Sequence, residues 1–365
     1  MRILWPLGLL VSAVGLAACT ATPVAHSPSP HPSTTAVPPK TTPSAPPTTA
    51  PVPAAPPSSV VPVGSIGPVI VEPGAGMQPI YNFIRGATST LTMTMYELTD
   101  PTAEQILGED AAGGIHVQVL LDSALEASRN QPARAYLVAH GVSVVMAPSS
   151  RITHQKTICV DRKACLIMSL NMVTDDYAST RDVAVEDDDP ADVSAIESTF
   201  AADFAGGTAP ATSDGDHLLW SPSSEDAILG LINGAHQTLS VENEEMDSTA
   251  VTDALSAAAR RGVDVDVCMT ADSEYTGALD QIVAAGGHVH LYPDENGDLY
   301  IHEKLVLADA GTGSAGVVVG SINFSTSSME YNRELDITLN TDDASTQIAD
   351  LDAAFQSDFN GAPAL

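Results

Sequence analysis

The chain has 365 residues, with 46 Asp+Glu against 14 Lys+Arg and a formal net charge of -32. That balance argues against a partner held through many phosphate contacts, because nucleic-acid affinity comes largely from Lys and Arg neutralising the backbone. No nucleic-acid partner is expected, although a small cationic pocket is compatible with the composition, and the length allows one large or two ordinary domains.

Residues 1–19 read as a targeting segment and are set aside from the fold. Arg2 precedes an apolar stretch from Ile3 to Ala18, and Leu16-Ala17-Ala18-Cys19 resembles the bacterial lipobox, in which the cysteine is lipidated after cleavage. Lipidation of Cys19 would hold the protein at the outer face of the cell membrane, since roughly 0.8 kcal/mol accrues per buried CH₂ and more than one chain anchors stably. An ordinary signal peptide cut nearby is the alternative. Residues 20–63 are dominated by Pro, Ser, Thr and Ala without apolar periodicity. They cannot bury enough surface to offset chain entropy and read as a semi-extended tether. No later stretch is long and apolar enough to span a bilayer.

The remainder contains itself twice. Ile80, Ile84, Gly86, Ala87, Thr90 and Leu91 recur 148 positions later as Ile228, Ile232, Gly234, Ala235, Thr238 and Leu239, and Gly114, Val117 and Val119 recur as Gly262, Val265 and Val267. In each copy an amphipathic helix leads into a strand. A second helix (Thr102–Ala112, Val251–Arg261) ends near a glycine, and an alternating strand follows. A third helix (Ala133–Ala139, Ala278–Ala285) ends at Gly141 or Gly287 before another strand. This is an α/β order, with halves at 64–207 and 208–365 joined through Gly206–Gly215.

Beyond Cys19 the cysteines are Cys159, Cys165 and Cys268. Cys159 and Cys165 flank the turn Asp161-Arg162-Lys163, which allows a disulfide across a hairpin in an exported chain. Two separate buried thiols are the favoured reading, and the spacing matches no zinc pattern.

The same shift of 148 carries His154, Lys156 and Asp161 onto His302, Lys304 and Asp309, so both copies read H-x-K-x-x-x-x-D. Chance matches are expected on the order of 0.01 per chain. On a strand, residues i and i+2 point to one face, so each copy is expected to offer an imidazole and an ammonium together. A shift of 152 then aligns Ser169, Asn171, Arg181 and Asp182 with Ser321, Asn323, Arg333 and Glu334. A lone strand histidine is usually a satisfied core or surface residue; two matching sets in a lysine-poor chain point to catalysis.

Two histidines and two lysines suit a phosphodiester. Lysines and Asn amides hold the non-bridging oxygens and offset transition-state charge. One imidazole attacks phosphorus, and the other protonates the leaving alcohol and then activates water. A carboxylate on the far ring nitrogen would orient each histidine.

These residues resemble the phospholipase D superfamily, whose signature is H-x-K-x-x-x-x-D followed by G-S-x-N. The resemblance covers about Gly64 to Phe359. It implies an α/β, pseudo-twofold bilobal fold of two β-sheets flanked by helices, an active site between the halves, and catalysis without metal or cofactor. It also implies His154 as nucleophile, His302 as general acid, and Asp182 and Glu334 as the acids holding the histidines. Lys156, Lys304, Asn171, Asn323, Ser169 and Ser321 are implied as phosphate-binding, while Asp161 and Asp309 match motif aspartates that lie off the phosphate. The first G-S-x-N departs from the pattern, reading Met168-Ser169-Leu170-Asn171 where the second is Gly320-Ser321-Ile322-Asn323.

Three lesser signals complete the reading. Asp294–Asp298 has calcium-loop flavour but lacks the sixth-position glycine, and reads as a polar turn near the site entrance. Glu186-Asp187-Asp188-Asp189 reads as a solvated loop. Glu97 and Glu245, related by the repeat, either line the site or serve structure. The leading expectation is an exported, lipid-anchored phospholipase D, active as a monomer and releasing phosphatidic acid and a head-group alcohol. A nuclease, a transphosphatidylase of the cardiolipin-synthase type and a non-enzymatic envelope protein are the alternatives.

Overall fold

The computed structural model describes residues 65–295 and 297–365. The targeting segment, Cys19 and the whole tether lie outside the described residues. The first half runs β1 (Ile66–Glu72), α1 (Gln78–Arg85), β2 (Thr90–Met95), α2 (Pro101–Ala112), β3 (His116–Leu121), α3 (Ala127–Ala139), β4 (Ser143–Met146), β5 (Thr157–Val160), β6 (Ala164–Met168), β7 (Thr180–Asp187) and α4 (Pro190–Phe204). The second half repeats the order as β8 (Leu218–Ser221), α5 (Glu225–Gly234), β9 (Thr238–Glu242), α6 (Thr249–Arg261), β10 (Asp264–Thr270), α7 (Thr276–Ala285) and β11 (His288–Tyr292). It continues with β12 (Tyr300–Ile301), β13 (Lys304–Ala308), β14 (Gly316–Gly320), α8 (Thr326–Glu330), β15 (Glu334–Asn340) and α9 (Ser345–Gly361).

Each half builds one mixed sheet. The first has the order β1-β7-β6-β5-β2-β3-β4, with β12 added beside β7; the second has the order β11-β10-β9-β13-β14-β15-β8. The strands joined by helices are parallel, β2 to β3 to β4 and β9 to β10 to β11. The hairpin β5–β6–β7 and its counterpart β13–β14–β15 are antiparallel.

The helix starts follow local chemistry. Asp100 accepts from the Thr102 N–H at the head of α2, and the Ser248 hydroxyl accepts from Val251 at the head of α6, each satisfying a donor the helix leaves free. Helix α6 ends where Gly262 turns to φ 91°, a left-handed conformation that glycine adopts without penalty. The third helix begins earlier than the alanine pattern suggested, at Ala127, and carries Pro132 within it.

One apolar core fills the outer face of each sheet, with Met93, Ile106 and Leu137 in the first lobe and Val241, Leu255 and Ile282 in the second. A third core is shared. Ile167, Val183 and Val185 of the first sheet meet Leu305, Val317 and Ile337 of the second, with Val193 and Ile196 from α4 and Leu351 and Phe355 from α9. Burial of this common layer holds the lobes together.

Two expectations are corrected. Cys159 and Cys165 are opposed residues on β5 and β6, with Cα atoms 4.0 Å apart, and they form a disulfide rather than two separate thiols. Glu186-Asp187-Asp188-Asp189 is not a solvated loop: Glu186 and Asp187 end β7, Asp187 is fully buried, and Asp189 caps α4 through Ala191 and Asp192.

Candidate active site

The two histidine–lysine segments are not plain strands. His302 and Glu303 interrupt the run between β12 and β13, and Thr153–Lys156 precedes β5. The break has a cause, because each segment pairs first with the opposite lobe and then with its own sheet. Tyr300 and Ile301 lie parallel to Thr180 and Arg181, and the His302 N–H donates to the Arg181 carbonyl at 3.1 Å. Symmetrically, Thr153 bridges Arg333, whose carbonyl accepts from the His154 N–H at 2.9 Å. Asp122 at the end of β3 fixes the first segment by accepting the Thr153 N–H at 2.8 Å. Thr270, 148 positions on, does the same for Ile301 with its hydroxyl oxygen, also at 2.8 Å.

This crossing decides the acid partners. His154 Nδ1 donates to Glu334 at 2.8 Å, and His302 Nδ1 donates to Asp182 at 2.7 Å, each across the lobe boundary. Glu334 also receives the Ser328 hydroxyl and the Asn332 amide at 2.9 Å, and Asp182 receives the Ser169 hydroxyl at 2.6 Å. Burial raises the Glu334 carboxyl, but His154 and Lys156 outweigh it and hold the group below its ordinary value. For His154 burial dominates and pushes the imidazole down, against the pull of Glu334.

The lysines fold back on their own histidines. Lys156 Nζ donates to the His154 carbonyl at 2.7 Å and Lys304 Nζ to the His302 carbonyl at 2.5 Å. Both lysines are buried, Lys156 beneath the Tyr96 ring with Nζ 5.0 Å from its centroid. Burial, then repulsion from Lys304, push Lys156 down to about 7, so the two ammoniums share one charged recess. Lys304 has a carboxylate partner, Glu244, at 3.1 Å.

The remaining expected site residues are placed as follows. Asn323 Nδ2 reaches Glu244 at 3.3 Å and Glu245 at 3.2 Å, while Asn171, its counterpart, is partly buried. Ser169 and Ser321 have protein partners for their hydroxyls. Both are fully buried, Ser169 bound to Asp182 and Ser321 accepting the Leu335 N–H at 3.2 Å, so their hydroxyls brace β7 and β15. Asp161 and Asp309 are outside the site, at the far ends of β5 and β13; at about 3.3 Å per residue, Asp161 is roughly 16 Å from Lys156. Each accepts consecutive backbone N–H groups: Asp161 from Thr88, Ser89 and Thr90, and Asp309 from His236, Gln237 and Thr238. They tie the motif strand to the loop before β2 or β9. Glu97 pairs with Arg129, whereas its repeat mate Glu245 lines the site through Asn323.

Glu244 is the residue the motif reading missed. Its carboxylate touches Lys304, Asn323, the Tyr300 hydroxyl at 2.9 Å and His302 Nε2 at 3.5 Å. The signal was available, since the 148 shift places it opposite Tyr96, but unlike residue types concealed the match. Strand alternation could not aim it either, because β9 ends at Glu242.

A bilobal α/β frame brings two histidine–lysine sets together at the lobe boundary. The family model described as "Cardiolipin synthase, PLD-like domain" matches residues 80–204 and 228–359, one segment in each lobe. The chain belongs to this family of the phospholipase D superfamily, whose enzymes act at phosphodiester bonds.

Among solved structures it is similar to phosphatidylserine synthase from Haemophilus influenzae Rd KW20, with a TM-score of 0.61 and 12% identity over 81% of this chain and 87% of that one. Polyphosphate kinase from Porphyromonas gingivalis gives a TM-score of 0.60 and 16% identity over 78% of this chain; the match spans 46% of that kinase. The phospholipase D family member Nuc from Salmonella typhimurium matches 40% of this chain and 95% of its own, at 19% identity and a TM-score of 0.36. For the synthase and the kinase the likeness, at these identities, is one of fold. No curated protein matches the chain in sequence.

Proposed function

We propose that the protein is a phospholipase D-type phosphodiesterase, hydrolysing phospholipids to phosphatidic acid and a head-group alcohol through a phosphohistidine. The crossed pairing carries this reading: two imidazoles, each with Nδ1 on a carboxylate of the other lobe, beside two buried lysines. A carboxylate only accepts, so His154 keeps its proton on Nδ1 and offers a free lone pair at Nε2. The lowered basicity of His154 favours that neutral form. In the first step Nε2 of His154 bonds to phosphorus as the bond to the head-group oxygen breaks, and that oxygen takes a proton from His302. In the second, His302 removes a proton from water, the new O–P bond forms and the N–P bond breaks. Lys156 and Lys304 offset charge on the non-bridging oxygens.

Other features support the setting. The acidic composition disfavours a polyanionic nucleic-acid substrate. The Cys159–Cys165 disulfide suits an oxidising, extracytoplasmic compartment, in line with an exported chain anchored through Cys19 and meeting lipid as its partner. The family description favours one second reading, transfer to an alcohol in place of water.

The test incubates purified protein with phospholipid vesicles, with and without glycerol as acceptor, and separately with single- and double-stranded DNA. Phosphatidic acid is expected. Exchanged phospholipid in its place would select the transferase, and DNA cleavage without phosphatidic acid would sink the phospholipase reading. His154→Ala should abolish a labelled, base-stable phosphoenzyme.

A further inference from the structure

Three groups assigned to the phosphodiester converge on a single oxygen of the protein itself. Glu244 Oε2 lies 3.1 Å from Lys304 Nζ, 3.3 Å from Asn323 Nδ2 and 3.5 Å from Nε2 of His302. An ammonium, a side-chain amide and a ring nitrogen are the partners a phosphoryl oxygen would take. The carboxylate and a phosphate therefore compete for one seat.

The first lobe shows that the lysine does not need this contact. At the equivalent repeat position stands Tyr96, whose ring covers Lys156 with Nζ 5.0 Å from its centroid. Both lysines are already held by their own segments, Lys156 on the His154 carbonyl and Lys304 on the His302 carbonyl. A carboxylate on the lysine is an addition of the second lobe.

Glu244 also has a fixed backbone and a movable side chain. Asn243 Oδ1 pins the chain beside it, accepting the Phe324 N–H at 3.1 Å and the Glu245 N–H at 3.0 Å. The Glu244 side chain is 25% exposed, and its other oxygen is held by the Tyr300 hydroxyl at 2.9 Å. A change of rotamer would vacate the seat without disturbing the strand.

We propose that Glu244 is an internal occupant of the phosphate seat, an autoinhibitory carboxylate that an incoming phosphate must displace from Lys304, Asn323 and His302 while the Tyr300 hydroxyl holds it in place. Its charge sustains the competition. Burial raises the carboxyl, but Lys304, His302 and His154 with the Tyr300 hydroxyl reverse this and hold it well below the usual carboxylate range. Glu244 is thus an anion, and a second anion entering beside it meets repulsion that a half-buried recess screens poorly.

This inference rests on the phosphohistidine reading for the identity of the seat, and its test separates the two. Binding of inorganic phosphate is titrated calorimetrically at fixed pH and ionic strength in wild type, Glu244→Ala, Glu244→Gln and Tyr300→Phe. Release of phosphatidic acid from phospholipid vesicles is followed in the same proteins. Glu244→Gln keeps the side-chain shape should Glu244→Ala fail to fold.

Freeing a charged partner is expected to tighten phosphate binding about tenfold in Glu244→Ala, with Glu244→Gln between it and wild type. Tyr300→Phe removes no charge and only loosens the occupant, so it should tighten binding about threefold. Equal or weaker binding in both Glu244 variants overturns the inference, as does a failure of all four proteins to bind phosphate. A gain in the Glu244 variants with none in Tyr300→Phe would be charge removal alone, and overturns it too. If no protein releases phosphatidic acid while the variants still bind phosphate more tightly, the proposed function fails and Glu244 stands as the occupant of an anion seat.

Discussion

Lys156 shows how a buried cation couples binding to pH. Burial and the Lys304 charge bring it down to about 7, against Glu334 and Glu244. A bound phosphodiester anion favours its protonated form, so at pH 6 the ammonium is already present, while above 7 each pH unit requires a proton to be taken up on binding. The affinity of a non-hydrolysable phosphonate diester should accordingly fall about tenfold per unit above pH 7 until the pKa of the complex is reached. Lys156→Arg should flatten that profile, and a constant Kd from pH 6 to 9 in the wild type would contradict the argument. The departure in the first G-S-x-N also has a residue-scale explanation. A Cβ on Gly320 would lie 2.5 Å from the Leu335 carbonyl and 2.6 Å from Asp336 Cα, so β14 and β15 approach too closely for a side chain. Met168 at the equivalent place opposes the small Ala184 and is fully buried. Gly320→Ala should therefore destabilise by about 1–3 kcal/mol through overpacking, and Met168→Ala by about 2–5 kcal/mol through a cavity. Denaturant unfolding would show opposite size requirements at the two positions; a neutral Gly320→Ala would refute the close approach.

At the scale of elements, the decisive feature is a segment that changes sheets. β12 pairs with β7 of the other lobe, and two residues later β13 pairs with β9 and β14 of its own. The histidine occupies the crossover, and the lysine begins the home strand. This departs from the simple alternation expected for H-x-K, because alternation describes a strand that keeps one neighbour. The preceding arginines clamp the crossover from behind. Arg333 on the second lobe binds Asp203 of α4 at 2.7 and 3.1 Å, and Arg181 on the first binds Asp358 of α9. Arg333 and Asp203 are both buried, with Arg151 also on Asp203. Removing one member of such a pair strands the other charge, so Asp203→Ala should cost about 3–5 kcal/mol. The measure is the denaturant midpoint, and a change under about 1 kcal/mol would show that the clamp carries little of the inter-lobe stability. The pairing of these arginines was out of reach of the sequence, where only their recurrence at a shift of 152 was visible.

For the whole molecule, the repeat, the α/β order of each half and the identity of the histidine–lysine sets were legible in one chain. Each is written in local periodicity or in recurrence at a constant offset, and neither depends on how distant segments meet. That Asp161 and Asp309 stand off the phosphate was implied only by the resemblance, and counting them with the catalytic residues was not supported by their place, where each binds backbone N–H groups before β2 or β9. What only the tertiary structure decided is every contact between residues far apart in sequence. Glu334 serves His154 across 180 positions and Asp182 serves His302 across 120, because the backbone edges beside Arg181 and Arg333 accept the opposite lobe's segment. The serines expected on the phosphate turned inward for the same reason: strand β7 or β15 runs behind them and takes their hydrogen bonds. The disulfide depended on the register of β5 against β6, and Glu244 on where β9 ends. Spacing along the chain specifies which side chains are available; the pairing of strand edges between lobes specifies which of them meet, and so which histidine stands beside a second carboxylate.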